Sequence, residues 1–333
     1  MTIWFDIDNS PHVLLFAPII KALKEEGFKV LVTARNFAQT LPLLEKNNIE
    51  YIRIDGYSAK NKFTKLYQTL IRSIKLAKVV KKYNVKLLVN HGARSGIITA
   101  KILNKKIISG FDYEYTELFI LKTFSDIILV PLSLHQKYNS NKYLFYNGFK
   151  EHVYLCDFIP DSDFLKNLPF GNIENKPLVV LRPPAFTANY YNSNSLNLFT
   201  KVLELLKNSD CNIVYLPRIK ADKDFVKDFG NKLFIPQSPL DGPNLIYYAD
   251  VVISGGGTML REAAFLGTKS YSIFTGKPAQ VDIDLVNQGK LLFIRSEVDI
   301  KKIDLSKKNR NGLSNISPEV KNFFINIIKQ HLK

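Results

Sequence analysis

Val251-Val252-Ile253-Ser254-Gly255-Gly256-Gly257-Thr258-Met259-Leu260-Arg261-Glu262-Ala263-Ala264-Phe265-Leu266-Gly267 decides how the chain is read. The β-branched run at its start has the look of a strand buried on both faces. Three glycines predict a tight turn in which the main chain reaches positive φ and lets a ligand approach closely. A helix follows, ended by Gly267 at its C′ position. A strand, glycine turn and helix N-terminus together form a seat for phosphate, because free amides and the helix dipole meet there. Glu262, about one turn in, is placed to accept hydrogen bonds from ribose hydroxyls. A glycine turn alone is a weak signal, and a mobile turn with Glu262 in solvent satisfies the same letters.

Working outward, strand-like and helix-like segments alternate. Ile3–Ile7, Lys29–Thr33, Tyr51–Ile54, Leu87–Asn90, Lys106–Ser109 and Ile127–Val130 read as strands with helices between them. Residues 156–177 lapse into Asp, Asn, Pro and Gly, the composition of a linker. The rhythm then resumes at Leu178–Leu181, Asn212–Leu216, Lys232–Ile235, Val251–Ile253 and Ser270–Phe274. Two doubly wound α/β domains are expected, 1–160 and 175–315, with 316–333 as a closing amphipathic helix. Ligands of such sheets sit beyond the carboxyl ends of strands, so the expected site is a cleft that the two domains face.

The chain has 333 residues and a formal net charge of +16, which favours an anionic partner. Cys156 and Cys211 are far apart, so a reducing compartment is expected. The start, Met1 to Asp6, reads as a first strand rather than a leader, and no apolar run spans a bilayer. The expected location is cytoplasmic, with membrane contact at most peripheral. Residues 60–86 carry nine Lys or Arg and no acid. A helical wheel puts Lys65, Arg72, Lys75, Lys78 and Lys82 on one side and Phe63, Leu66, Leu70, Ile74 and Ala77 on the other. That is a basic amphipathic helix suited to the anionic inner face of a membrane, or else a solvated lysine face. No aromatic residues interleave its basic side, so nucleic acid is not an expected partner.

Candidate chemistry lies at strand ends. Asp6-Ile7-Asp8-Asn9-Ser10-Pro11-His12 admits three readings: a phosphatase-like Asp-x-Asp pair, a substrate loop, or a helix cap formed by Asn9 or Ser10. The first needs a later acidic pair that the chain lacks. The absence of a glycine fingerprint at this turn argues against a dinucleotide oxidoreductase. Asp8 and His12 are candidate catalytic groups, and so are the paired carboxylates Asp112 and Glu114 after the fifth strand. Asn9, Ser10, His91 and Arg94 are candidate acceptor-binding residues. Arg182 and Arg218 each end a strand near the glycine turn, where two guanidiniums suit a diphosphate leaving group. With Ser254, Gly255, Gly256, Gly257, Thr258 and Glu262 they form the expected nucleotide site. The histidines have no metal-ligand spacing, so neither a metal nor another cofactor is expected.

The stretches Trp4–Val13, Val32–Arg35, Gly148–Leu155 and Ser254–Ala264 together resemble a prokaryotic domain-of-unknown-function family of predicted GT-B glycosyltransferases. That family is related to the non-hydrolysing UDP-N-acetylglucosamine 2-epimerases. The resemblance spans nearly the whole chain and implies a GT-B fold of two Rossmann-like domains. It implies further that the triple glycine holds a diphosphate, Glu262 the ribose and Ile235–Asp241 the base, with a nucleotide-sugar, most simply a UDP-sugar, as co-substrate. The epimerases carry an acid after a His-Gly or Gln-Gly pair at the fourth strand; here Ala93 and Arg94 follow His91-Gly92. Transfer of the sugar to a glycan or lipid-linked acceptor in cell-surface assembly is therefore expected ahead of C2 epimerisation. A nucleotide-sugar-binding protein without catalysis is the non-enzymatic alternative.

Overall fold

The computed structural model describes residues 1–55, 62–171, 173, 175–185, 193–309 and 315–332. It divides into two compact units, Met1–Cys156 with Ser317–Lys333, and Asp157–Ile316.

In the first unit the strands are β1 (Thr2–Ile7), β2 (Lys29–Ala34), β3 (Ile52–Arg53), β4 (Val85–His91), β5 (Lys106–Gly110), β6 (Ile127–Pro131) and β7 (Tyr143–Tyr146). The helices are α1 (Ser10–Glu25), α2 (Thr40–Lys46), α3 (Lys62–Val80), α4 (Arg94–Ile102), α5 (Phe119–Phe124) and α6 (His152–Leu155). The strands pair in parallel in the order β3-β2-β1-β4-β5-β6-β7. Every residue of β1 is buried, as expected where helices cover both faces of a parallel sheet. Ile3, Phe5 and Ile7 face a core shared with α1, while Trp4 faces one that includes Leu76 and Val80 of α3 and Ile97 of α4. The strand order reverses between β1 and β4, and their carboxyl ends lie side by side with Asp6 opposite Asn90. Polar groups gather at such a switch point.

The second unit contains β8 (Leu178–Arg182), β9 (Asn212–Tyr215), β10 (Leu233–Phe234), β11 (Val251–Ser254), β12 (Lys269–Ser272) and β13 (Leu292–Phe293). Its helices are α7 (Ser193–Lys207), α8 (Gly242–Tyr248), α9 (Gly257–Phe265), α10 (Gln280–Asn287) and α11 (Glu297–Ile300). The parallel order is β10-β9-β8-β11-β12-β13, so the switch point falls between β8 and β11 and pairs Ser254 with Arg182. The last helix, α12 (Glu319–Gln330), returns to the first unit, where Phe324 packs on Tyr146 at 5.3 Å between ring centroids.

The long expected strands and helices form close to their expected bounds. Edge strands β7 and β13 were not anticipated: short, half-buried segments carry little period-two signal. The helical wheel of α3 holds for Lys75, Lys78 and Lys82, which are exposed, but not for Arg72 or for the apolar side. Arg72 is 4 % exposed and faces inward with Ser73, Leu76 and Val80, whereas Leu66, Leu70 and Ile74 are exposed. Arg72 is thus no part of a basic outer face. The wheel assigned the apolar side to the core by default, and a buried ion pair overrode that choice. The side chains of Phe63 and Lys65, and Lys60 altogether, lie outside the described residues.

Candidate functional site

At the first switch point, Asp6 is fully buried. Its two oxygens accept from Arg72 Nη1 and Nη2 at 2.8 and 2.7 Å, and one also accepts from Thr33 Oγ1 at 2.7 Å. Trp4 Nε1 donates to the same threonine at 2.8 Å, and Arg72 Nε donates to the Ile54 carbonyl at 3.0 Å. A carboxylate saturated in this way cannot act as a phosphatase nucleophile; it ties β1 to α3. Asn9 caps α1, its side chain accepting from the Ser10 amide at 2.9 Å with Pro11 in the first turn. The Ser10 hydroxyl accepts from the Gln39 amide at 2.9 Å. These two residues therefore shape the loop that presents Asp8 and His12.

His12 Nδ1 stands 3.2 Å from Asp8 Oδ1, and its ring lies 5.0 Å from that of His91. His91 Nε2 lies 3.8 Å from Asp112 Oδ1, and Lys150 Nζ contacts Asp112 Oδ2. The same ammonium is 2.8 Å from Glu151 Oε1. Asp8, His12, His91 and Asp112 thus form one chain of contacts across the ends of β1, β4 and β5. Glu114 is not in it: its partner is Lys137 at 2.5 Å, so the expected Asp112–Glu114 pair divides between two lysines. Arg94 also stands apart, 3.4 Å from Glu117 on the surface.

Lys150 and Glu151, almost fully buried, were missed as site residues. Neither follows a strand of the expected set, and a Lys-Glu dipeptide usually reads as solvated surface. The signal lies two residues earlier. Gly148 has φ +144°, and a Cβ there would meet His152 and Val320 at 2.7 and 2.9 Å, so glycine is required for the turn that carries Lys150 inward.

Burial alone would raise the Asp8 carboxyl, but the close contact and charge of His12, with Arg72 and Arg35, hold it below its ordinary range. Burial pushes His91 down to about 3 against the pull of Asp112, so its imidazole is neutral at pH 7. Its buried Nε2 has no hydrogen-bond partner among the described residues and is open to a ligand's polar atom. One consequence is acid sensitivity. Between the ordinary histidine value of 6.5 and pH 4, the unfolded chain binds a proton that folded His91 refuses, so stability falls on acidification. The loss over that window is about 3 kcal/mol. His91→Gln should flatten this part of a pH-dependent urea denaturation series; an unchanged slope would show that His91 is not its source.

The second switch point holds the triple glycine. None of Gly255, Gly256 and Gly257 has positive φ, contrary to expectation. Close approach accounts for them instead, most firmly at Gly255, where the neighbour is main chain; at Gly256 and Gly257 it is the end of an arginine side chain. A Cβ on Gly255 would lie 2.4 Å from the backbone of Pro184, one on Gly256 2.7 Å from Arg218 Nη2, and one on Gly257 2.5 Å from Arg261 Nη1. The glycines thus admit the β8 loop and two guanidiniums to the start of α9. Gly256 caps that helix without a side chain, and its amide donates to Ser254 Oγ at 3.0 Å. Thr258 lies in the first turn.

Arg218 is fixed by Nε donation to the Pro183 carbonyl at 2.8 Å and by its amide on Asp222 at 2.7 Å. Arg261, which the sequence did not single out, pairs with Asp282 at 2.8 Å. Arg182 is pushed down to about 10 by burial and by the neighbouring charge of Arg218, partly offset by Glu262. Its buried Nε has no hydrogen-bond partner among the described residues. Two guanidiniums that raise each other's cost, beside a glycine-capped helix, are satisfied by a multiply charged anion. Glu262 is 4 % exposed, within the field of Arg182. Asp241, expected at the base, caps α8 by accepting from the Asn244 amide at 3.2 Å.

Among the described residues no helix is long and apolar enough to cross a membrane. Residues 1–316 match the model of a family described as "Protein of unknown function (DUF354)". The uncharacterised protein MJ0665 of Methanocaldococcus jannaschii is 27 % identical over 320 residues, covering 91 % of this chain and 89 % of that one. The crystal structure of the UDP-GlcNAc 2-epimerase of the same organism, in complex with UDP-GlcNAc and UDP, matches with a TM-score of 0.71 at 15 % identity, covering 99 % of this chain and 100 % of that one. MurG of Acinetobacter baumannii matches with a TM-score of 0.54 at 13 % identity, covering 99 % and 100 %. The fold is the two-domain GT-B α/β fold.

Proposed function

The chain belongs to the DUF354 family, and we propose that within it this protein is a metal-independent glycosyltransferase using a nucleoside-diphosphate sugar, most simply a UDP-sugar. The observation that carries the reading is the buried Arg182 Nε beside Arg218 and the triple glycine at the second switch point. A diphosphate would accept from both guanidiniums and from the first-turn amides of α9, and Glu262 would hold the ribose. UDP-GlcNAc and UDP are bound in the epimerase complex of the same fold.

The first unit would supply the proton chemistry. His12, oriented and polarised by Asp8, removes the proton from an acceptor hydroxyl. The acceptor oxygen then forms a bond to the anomeric carbon as the bond from that carbon to the diphosphate breaks. The arginines take up the charge left on the diphosphate, which is the task a divalent cation performs elsewhere. Neutral His91 and the Lys150–Asp112 pair position the sugar or acceptor through hydrogen bonds. The acceptor proposed is a glycan or lipid-linked glycan of the cell surface, and the working compartment the cytoplasm.

A second reading, C2 epimerisation of a UDP-sugar, is favoured by the closer match of the epimerase structure than of MurG. Against it stands Ala93, buried and without an acid function, where the resemblance puts an epimerase carboxylate. Incubation with UDP-N-acetylglucosamine in deuterated water separates the two, with proton NMR as readout. Transfer predicts that the C2 proton is retained. Loss of that signal, or appearance of the manno epimer, would replace transfer by epimerisation.

A further inference from the structure

On its outer side α3 presents Leu66, Tyr67, Leu70 and Ile74, exposed at 55, 61, 46 and 59 %. Scattered exposed hydrophobics are ordinary, but these occupy neighbouring positions on successive turns and form one stripe. The next two turns on the same side carry Lys75, Lys78, Lys81 and Lys82, all exposed. No Asp or Glu occurs from Lys62 to Lys86, so the helix and its C-terminal turn have no anion of their own. The inner side is fully committed: Arg72 to Asp6, Leu76 and Val80 to the core, and Ser73 through its carbonyl to Thr99 Oγ1 at 2.9 Å. The helix is therefore held rigidly with an apolar half and a cationic half facing outward.

We propose that this face of α3 docks onto an anionic lipid bilayer, Leu66, Tyr67, Leu70 and Ile74 entering the headgroup–acyl boundary while the lysines meet lipid phosphates. Charge complementarity selects the occupant. An apolar protein groove leaves the lysines unmatched, and a nucleic acid leaves the leucines in water, whereas the bilayer interface offers both environments a few ångströms apart. The surface stands on α3 alone and does not depend on the nucleotide reading.

The test is co-sedimentation of the intact protein with phosphatidylcholine vesicles, pure or containing about one third phosphatidylglycerol. Each lysine near such a surface strengthens partition roughly fivefold. The variant Lys78→Gln/Lys81→Gln/Lys82→Gln should bind roughly a hundredfold more weakly, and Leu66→Gln/Leu70→Gln/Ile74→Gln at least about tenfold more weakly. Raising the salt should release wild-type protein. A variant that loses the same charge elsewhere, Lys166→Gln/Lys207→Gln/Lys301→Gln, should bind as wild type does, and far-ultraviolet circular dichroism should show all three folded. Several results would overturn the proposal. They are equal binding to neutral vesicles, retention by either α3 variant, and an equal loss in the control variant, which would assign binding to net charge. So would absence of vesicle binding with lysine-dependent capture of single-stranded DNA, or with self-association that the Leu/Ile variant abolishes.

Discussion

Arg72→Met is expected to lower unfolding free energy by about 3 to 5 kcal/mol, the largest single-site loss of stability foreseen for the first unit. The side-chain volume is nearly kept, so packing is not the reason. Asp6 remains fully buried and loses both charged donors at once, keeping among the described residues only the Thr33 hydroxyl. An uncompensated buried carboxylate costs far more than the intact pair gains. Pairing the substitution with Asp6→Asn removes the orphaned charge and should recover a large part of the loss. Urea denaturation of the single and double variants measures both effects. A single variant within about 1 kcal/mol of wild type would mean that Arg72 does not hold α3 to β1.

Arg182→Met is expected to act in two opposite directions. Burial beside Arg218 disfavours the charged guanidinium by roughly 3 kcal/mol, so its removal should raise the stability of the ligand-free protein. The same change removes the side chain whose Nε has no partner among the described residues. A charge-assisted hydrogen bond is worth about 1.5 to 3 kcal/mol, so UDP affinity should fall about ten- to a hundredfold, and further when Arg218→Gln is added. Stability given up locally and returned on ligand binding marks a binding site rather than a structural one. Thermal denaturation and calorimetric titration of the same preparation read both arms. A variant that is less stable and binds UDP as wild type does would make Arg182 structural.

Much of this was legible in the letters. The triple glycine between a β-branched run and a helix located the second switch point, and Asp8, His12, His91 and Asp112 were all read from strand ends. That worked because a parallel sheet forces the carboxyl ends of neighbouring strands together, whatever their separation in sequence. Three features resisted for physical reasons. Asp6 lies within β1 and Asp8 just past its end at Ile7, which leaves one carboxylate in the core and the other in the loop, and only packing reveals where the strand stops. Arg72 looked solvated because a lysine-rich helix gives no local sign that one cation has a buried partner 66 residues away. Lys150 enters the site through the turn at Gly148, where a φ of +144° and the closeness of His152 and Val320 leave no room for a Cβ, and neither is visible in the letters around it. The glycine turn lies where the letters put it, between β11 and α9, but one of the two reasons given for its glycines fails: none has positive φ, and at Gly255 it is the main chain of Pro184 that leaves no room for a Cβ.

Isothermal titration of the intact protein with UDP, GDP, CDP and dTDP tests most directly whether the second switch point is a nucleotide-diphosphate site. One of these, UDP on the present reading, should bind in a one-to-one complex, tighter than its monophosphate and weakened by Arg182→Met. At about a hundred times its dissociation constant it should stabilise the fold by roughly 2.7 kcal/mol. Absence of binding by all four nucleotides, or binding that Arg182→Met leaves unchanged, would contradict the account.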